Sequence, residues 1–168
     1  MPLSLASLES AAARPLRKSL TLNEARTAGA QTAFLCHSHL DRARLIGLLN
    51  LISDEGWKVY VDWADEDMPE TPTYETAARI QGKIRDLNYF LFLATPNSMS
   101  SRWCPWEIGF ADGVKRNEQI IVIPTTDHSG RSHGSEYLQL YRHVDVAREG
   151  GLGVWKANQT GGVRLHSL

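Results

Sequence analysis

Short runs of apolar residues alternate with longer amphipathic segments along most of this chain. Four of the runs are rich in Val, Ile, Phe and Tyr, and most of them lack regular polar alternation. That pattern is typical of strands buried on both faces, and such strands are usually parallel. The predicted strands span residues 32–36, 57–62, 89–94 and 119–124.

Three segments between the predicted strands have helical spacing, over residues 41–55, 73–86 and 102–117. The apolar stripe of the first consists of Leu45, Leu48, Leu49 and Ile52, and that of the second of Ala77, Ile80 and Ile84. Strands that alternate with helices indicate right-handed crossovers. The pattern therefore predicts an α/β fold with an open, mostly parallel sheet covered by helices on both faces.

Both ends of the chain are less regular. Residues 1–30 are rich in Ala, Ser, Leu and Arg, and their loose helical spacing is interrupted by Pro15. We predict an N-terminal arm over residues 1–30, partly helical or disordered, and one domain over residues 31–168. An arm of this kind docks on the domain, mediates self-association or stays disordered. Residues 136–143 are predicted as a short helix and residues 153–157 as a fifth strand.

Composition narrows the classes of function. The 168 residues are 42% hydrophobic and 22% charged, which is ordinary for a single globular domain. With 18 basic and 19 acidic residues the net charge is −1, so no basic surplus favours nucleic acid or an anionic membrane as a partner. No apolar run approaches the ~20 residues that span a bilayer, and no secretory signal is recognisable. The two cysteines favour reduced, buried thiols, so we expect a cytoplasmic protein.

Polar and aromatic residues gather in the connections that follow the first three predicted strands. In an open parallel sheet, ligands bind beyond the carboxyl ends of the strands, near the switch in strand order. The three connections are residues 37–41, 63–72 and 95–102, and the last leads into the helix that carries Glu107. Neither a Gly-x-Gly-x-x-Gly loop nor a Gly-Lys-Ser/Thr loop follows the first strand, which argues against a Rossmann or P-loop nucleotide site.

The helix after the third strand begins with residues that suggest a site. Ser100 or Ser101 can cap this helix, and Pro105 is tolerated in its first turn. Trp103 and Glu107 are four residues apart and therefore share a helical face. Desolvation beside an indole can raise the pKa of a carboxyl, and a carboxylate there can stabilise an oxocarbenium-like transition state as a glycosidic bond breaks. The alternative to a catalytic site is a structural role, in which Trp103 fills the core and Glu107 caps the helix or forms a local ion pair.

Three segments resemble, in order, the successive boxes of a TIR (Toll/interleukin-1 receptor) domain. They are residues 34–41 (FLCHSHLD), 56–62 (GWKVYVD) and 97–107 (NSMSSRWCPWE), and residues 120–124 match the family's fourth strand. The resemblance covers about residues 32–125 and implies a flavodoxin-like sheet of about five strands, the TIR fold. The acidic loop over residues 63–72 departs from the family because it lacks the glycine common in the assembly loop.

The resemblance also implies cleavage of the nicotinamide–ribose bond of NAD, which many bacterial and plant members of the family catalyse, either by hydrolysis to ADP-ribose or by cyclisation to a cyclic ADP-ribose. The catalytic glutamate of the Trp-x-x-x-Glu box is then Glu107, NAD is a substrate, and no cofactor is expected. Bacterial members often serve anti-phage immune signalling, with self-association through TIR–TIR contacts and a downstream effector that senses the product. The alternatives are a non-catalytic scaffold for homotypic assembly and a nucleoside deoxyribosyltransferase-like enzyme.

Five further residues are candidate contacts for the substrate. Trp103 shapes the site beside the glutamate. His37 and Ser38 follow the first strand, Asp62 ends the second strand, and Trp63 follows it. Trp63 is either a movable aromatic lid or a packed anchor of its loop. No metal site is predicted, because the loop histidines lack partners at metal-ligand spacing and the acidic loop lacks the glycine and the later glutamate of a calcium loop.

Overall fold

The computed structural model describes residues 1–15, 21–65, 73–157, 159 and 161–168. Its α-helices are α1 (Leu5–Ala11), α2 (Leu22–Thr27), α3 (Arg42–Asp54), α4 (Tyr74–Asp86), α5 (Pro96–Met99) and α6 (Trp103–Val114). Its strands are β1 (Leu3–Ser4), β2 (Thr32–Cys36), β3 (Lys58–Tyr60), β4 (Tyr89–Ala94), β5 (Ile120–Thr126), β6 (Ser132–His133), β7 (Arg142–Val146), β8 (Leu152–Trp155) and β9 (Gly162–Arg164).

The strands form one mixed sheet in the order β3-β2-β4-β5-β7-β8-β9. The first five of these pair in parallel, and β8 and β9 continue the sheet in antiparallel fashion. The parallel part has the flavodoxin-like strand order, with its switch point between β2 and β4. The predicted α/β fold is confirmed, and the sheet contains more strands than the five expected.

Helices cover both faces of the sheet because its central strands are apolar on both sides. In β4, Leu91 and Leu93 pack in one cluster with the apolar stripe of α3, while Phe90 and Phe92 pack in the other with residues of α4 and α6. All four side chains are buried. The alternation along a strand thus sends neighbouring residues into opposite halves of the core.

The C-terminal part differs from the prediction. Residues 136–143 were predicted as one helix, but they form a 3-10 helix, Glu136–Leu140, and the start of β7, where His143 pairs with Val122. The predicted fifth strand, residues 153–157, corresponds to the antiparallel β8, and β7 is the fifth parallel strand. Gly150 and Gly151 have positive φ angles, which allows the tight turn from β7 into β8.

The first fifteen residues pack against the rest of the protein. Strand β1 pairs in parallel with the end of β5, a strand that the sequence pattern did not predict. Helix α1 lies against α3, its Leu8 has no exposed surface, and Asn50 of α3 donates hydrogen bonds to the carbonyls of Ala11 and Arg14. No helix within the described ranges is long and apolar enough to cross a membrane.

Candidate functional site

The fold brings the start of α6 to the carboxyl end of β2, beside the switch point. Neither of the two serines is the N-cap residue of α6, which is Arg102, but the Oγ of Ser101, one residue earlier, accepts hydrogen bonds from the backbone N–H groups of Trp103 (3.2 Å) and Cys104 (3.3 Å). The buried residues of α6 are Cys104, Glu107, Ile108 and Ala111. Glu107 therefore lies on the face of α6 that packs against the sheet.

Glu107 is an acid held in a mostly apolar setting. It is only 5% exposed, and the thiol of Cys36 at the end of β2 lies close enough to affect its pKa. Burial raises the pKa of Glu107 from its ordinary 4.5 to about 8, and the nearby Asp62 carboxylate adds to the rise. At neutral pH this carboxyl is largely protonated until a positive charge approaches it.

Two reduced, buried cysteines join α6 to the strand beneath it. The Cys104 thiol lies 3.4 Å from the carbonyl oxygen of His37, and the Cys36 thiol lies 3.9 Å from the carbonyl oxygen of Cys104. Burial raises the pKa of Cys36 well above its usual value. Sequence reasoning did not place Cys36 in the site, although its position as the last residue of β2 directs it toward the switch point.

His37 and Asp62 also meet at this end of the sheet. The His37 ring places Nδ1 2.9 Å from the carbonyl oxygen of Leu35, and its Nε2 lies 3.5 Å from Asp62 Oδ1. An Nδ1–H donor to that carbonyl leaves Nε2 directed at the carboxylate. The structure therefore brings together three of the predicted site residues, namely Glu107, Asp62 and His37.

The other three predicted residues have different surroundings. Ser38 is buried, and its Oγ accepts the N–H of Leu40 (3.4 Å) at the start of a 3-10 turn. Trp63 is 39% exposed, and the Arg42 guanidinium lies over the Trp63 ring, with Cζ 4.7 Å from the ring centroid. Trp103 is 36% exposed, and its ring packs edge-on against Trp106 at a centroid distance of 5.3 Å. Their roles as substrate contacts stay predictions.

A buried carboxylate that the sequence did not single out fixes the two loops at the switch point. Asp41 accepts hydrogen bonds from Thr95 (2.5 Å), Asn97 (2.7 Å) and Arg44 (2.9 Å). Thr95 and Asn97 follow β4, whereas Asp41 follows β2, so the carboxylate ties one loop to the other. The only local sequence signal for this carboxylate is the Asp-x-x-Arg pair of Asp41 and Arg44 at the start of α3. Its partners after β4 are more than fifty residues away from Asp41 in the sequence, so no local pattern could predict them.

Among the residues that the structure describes, no group of three or more His, Cys, Asp or Glu side chains is placed to hold a metal ion. Most of the acidic loop predicted over residues 63–72, from residue 66 onward, lies outside the described residues.

The raised pKa of Glu107 predicts a pH dependence of stability. In the unfolded chain the carboxyl has its ordinary pKa of 4.5, so between 4.5 and about 8 the folded state holds a proton that the unfolded state has lost. The contribution of Glu107 to the free energy of unfolding is thus fully present below about pH 4.5 and is lost as the pH rises to about 8. Glutamine cannot ionise, so Glu107→Gln should remove this loss.

Urea unfolding of both proteins at several pH values between about 5 and 8 checks this expectation. The difference in free energy of unfolding, variant minus wild type, should grow in favour of the variant by a few kcal/mol across that range. A difference that stays constant with pH would contradict a protonated, buried Glu107.

Comparison with known proteins gives two matches. The profile of the TIR domain family matches residues 33–153. A probable 3' cyclic ADP-D-ribose synthase, ThsB' of Bacillus cereus (strain MSX-D12), is 34% identical to this chain over 113 residues. The aligned part covers 66% of this chain and 58% of that protein, so the match spans less than two thirds of the relative's length.

Proposed function

Because this chain belongs to the TIR domain family, we propose that it cleaves the nicotinamide–ribose bond of NAD, with Glu107 as the catalytic residue. One observation carries the proposal: the Glu107 carboxyl is buried at the carboxyl end of β2, with the Asp62 carboxylate close enough to affect its pKa. The similarity to a probable cyclic ADP-ribose synthase supports NAD as the substrate.

The role of Glu107 in the proposed reaction follows from the positive charge that develops on the ribose. The bond between the ribose carbon and the pyridinium nitrogen breaks, and the electron pair leaves with nicotinamide, which becomes neutral. Positive charge then develops on the ribose as an oxocarbenium-like transition state, which a carboxylate beside it stabilises. Water attacks that carbon and loses a proton to give ADP-ribose, or a nucleophilic group of the same molecule attacks it to give a cyclic ADP-ribose, which lacks one water relative to ADP-ribose. The name of the relative favours the cyclic product.

The positive charge of the bound pyridinium ring activates Glu107. An opposite charge nearby favours the ionised form of a carboxyl, so substrate binding shifts the protonated Glu107 toward the carboxylate that the reaction needs. Asp62 adds a second negative charge at the same end of the sheet, and the His37 ring lies against it. Ser38, Trp63 and Trp103 complete the proposed substrate contacts.

Self-association through TIR–TIR contacts is part of the proposal. Trp103 and Trp106 expose more than a third of their surfaces on α6, beside the proposed site. Exposed tryptophans of this kind are enriched in protein interfaces. We expect assembled copies to be the active form in anti-phage signalling, with the product sensed by a downstream effector.

The test is a product analysis. Purified protein is incubated with NAD at increasing protein concentration, nicotinamide is followed by chromatography, and the ribosyl product is identified by mass spectrometry. We expect nicotinamide together with a product that lacks one water relative to ADP-ribose; ADP-ribose itself would indicate hydrolysis.

Two other outcomes would contradict this proposal and favour a different function. Transfer of deoxyribose from a deoxynucleoside to a free base, without cleavage of NAD, would indicate a deoxyribosyltransferase. If the protein assembles but does not cleave NAD, and if Glu107→Gln assembles like wild type, the protein is a scaffold.

A further inference from the structure

A cavity of about 470 Å³ lies on the α6 side of the sheet, next to β5 and β7. Each of the earlier parallel crossovers carries an α-helix of 12 or 13 residues, namely α3, α4 and α6. The crossover from β5 to β7 carries only β6 and the five-residue 3-10 helix Glu136–Leu140. Since this short helix covers less of the sheet face, a space stays open between it and the strands.

The floor of the cavity is apolar and one wall is aromatic. Val122 of β5 and Leu138 of the 3-10 helix are buried and line it. Tyr141 is fixed by the hydrogen bond from its hydroxyl to Asp112 of α6 (2.9 Å), and the His143 ring is backed by Trp155 at a centroid distance of 6.3 Å. An apolar floor with rings held in place suits a flat ligand.

Two polar atoms of the wall are buried and lack hydrogen-bond partners among the described residues, namely His133 Nε2 and Ser135 Oγ. His133 ends β6 and Ser135 has an extended backbone, with φ −126° and ψ 167°. Both residues line the cavity. Buried polar groups without partners cost free energy, so a ligand edge that both donates and accepts would satisfy them.

The charge of the lining argues for a neutral ligand. Among the described lining residues there is no Asp, Glu, Lys or Arg. The Asp127 carboxylate, whose Oδ2 lies 3.8 Å from His133 Nε2, would repel an anion at this end of the cavity. A phosphate or carboxylate ligand is therefore disfavoured.

This cavity is distinct from the site around Glu107. The neighbours of Glu107 belong to β2 and to the turn after β3, whereas the cavity is lined from β5, β7 and the segments between them. Strand β4 lies between β2 and β5 in the sheet. A molecule in the cavity can therefore bind without occupying the Glu107 site.

We propose that this cavity binds a neutral, planar nitrogen heterocycle whose edge both donates and accepts hydrogen bonds, the chemistry shared by a purine nucleoside and a pyridine carboxamide. The ring lies on the Val122 and Leu138 floor, and its polar edge meets His133 and Ser135. The volume is within the range of roughly 300–1,000 Å³ that small-molecule sites have.

Isothermal titration calorimetry of the full chain with adenosine, nicotinamide and AMP tests the proposal. At least one of the two neutral compounds should bind, and AMP should bind more weakly than adenosine because of its phosphate. His133→Ala with Ser135→Ala should weaken binding by about tenfold or more. The matched control is the exposed His128→Ala, which should bind like wild type. Binding should persist in Glu107→Gln, which separates this cavity from the catalytic proposal.

Circular dichroism and thermal melting establish whether the double variant folds, and Ser135→Ala alone, with an expected loss of about threefold or more, replaces it if it does not. The proposal is overturned if neither neutral compound binds, if AMP binds more tightly than adenosine, or if the folded cavity variant binds like wild type. None of these outcomes depends on whether NAD is cleaved.

Discussion

Glu107→Gln should lower nicotinamide release from NAD by about a thousandfold, under conditions in which the wild-type protein is active. The amide keeps the size and much of the hydrogen bonding of the carboxyl, but it cannot carry the negative charge that faces the developing oxocarbenium ion. Removing one electrostatic contact to a transition state costs roughly 10²–10³ in rate, and loss of a full charge is expected at the upper end. Chromatographic measurement of nicotinamide under saturating NAD gives kcat directly.

The matched control is Glu118→Gln, the same change at a half-buried glutamate that pairs with Arg116 after the end of α6. This variant should cleave NAD like wild type. Equal activity of the Glu107 and Glu118 variants would show that Glu107 is structural. The urea unfolding of Glu107→Gln described above establishes whether this variant is folded under the assay conditions, so that a loss of activity can be separated from unfolding.

The pH profile provides a second readout of the same residue. The reaction requires the Glu107 carboxylate, and burial holds the pKa of this group at about 8 in the free protein. The value of kcat/KM reports ionisations of the free protein, so it should rise with pH and level off above about 8. A profile that is already flat at acidic pH would show that another group limits the reaction.

Much of the fold could be predicted from local apolar patterns because the central strands are buried on both faces. Residues 89–94 were predicted as a strand and form β4 with the same bounds. By contrast, β7 contains His143 and Asp145 among its five residues, and its pairing with β5 depends on residues about twenty positions away. Strand β1 has two residues, too few for any periodicity to be visible.

The position of the site was predictable in the same way, but its composition was less so. The rule that ligands bind at the carboxyl ends of parallel strands predicted that the connections after the first three strands converge. His37, Asp62 and Glu107 lie close together at that end of the sheet. Helical spacing placed Trp103 and Glu107 on one face, yet it could not show where that face meets the sheet. The buried stripe of α6 runs through Cys104 and Glu107 and leaves Trp103 at its edge.

Gly47→Ala should destabilise the protein by about 1–3 kcal/mol, because a β-carbon there would overpack the contact between α1 and α3. A β-carbon at this position would overlap the carbonyl group of Leu8, which is backbone and cannot rotate away. Helix α1 would have to move, and the fully buried Leu8 side chain would lose packing in the core. Thermal melting should show a midpoint lowered by roughly 2–12 °C.

Gly82→Ala is the matched control because it makes the same change within α4, where a β-carbon meets no neighbouring atom. Alanine is the better helix former, so this variant should be more stable than wild type by about 0.5–1 kcal/mol. The two substitutions thus have opposite expected signs, and only the contact with α1 distinguishes them. If Gly47→Ala melted with or above Gly82→Ala, α1 would not be docked on α3 in solution, and the N-terminal residues would be a free arm instead of part of the folded core.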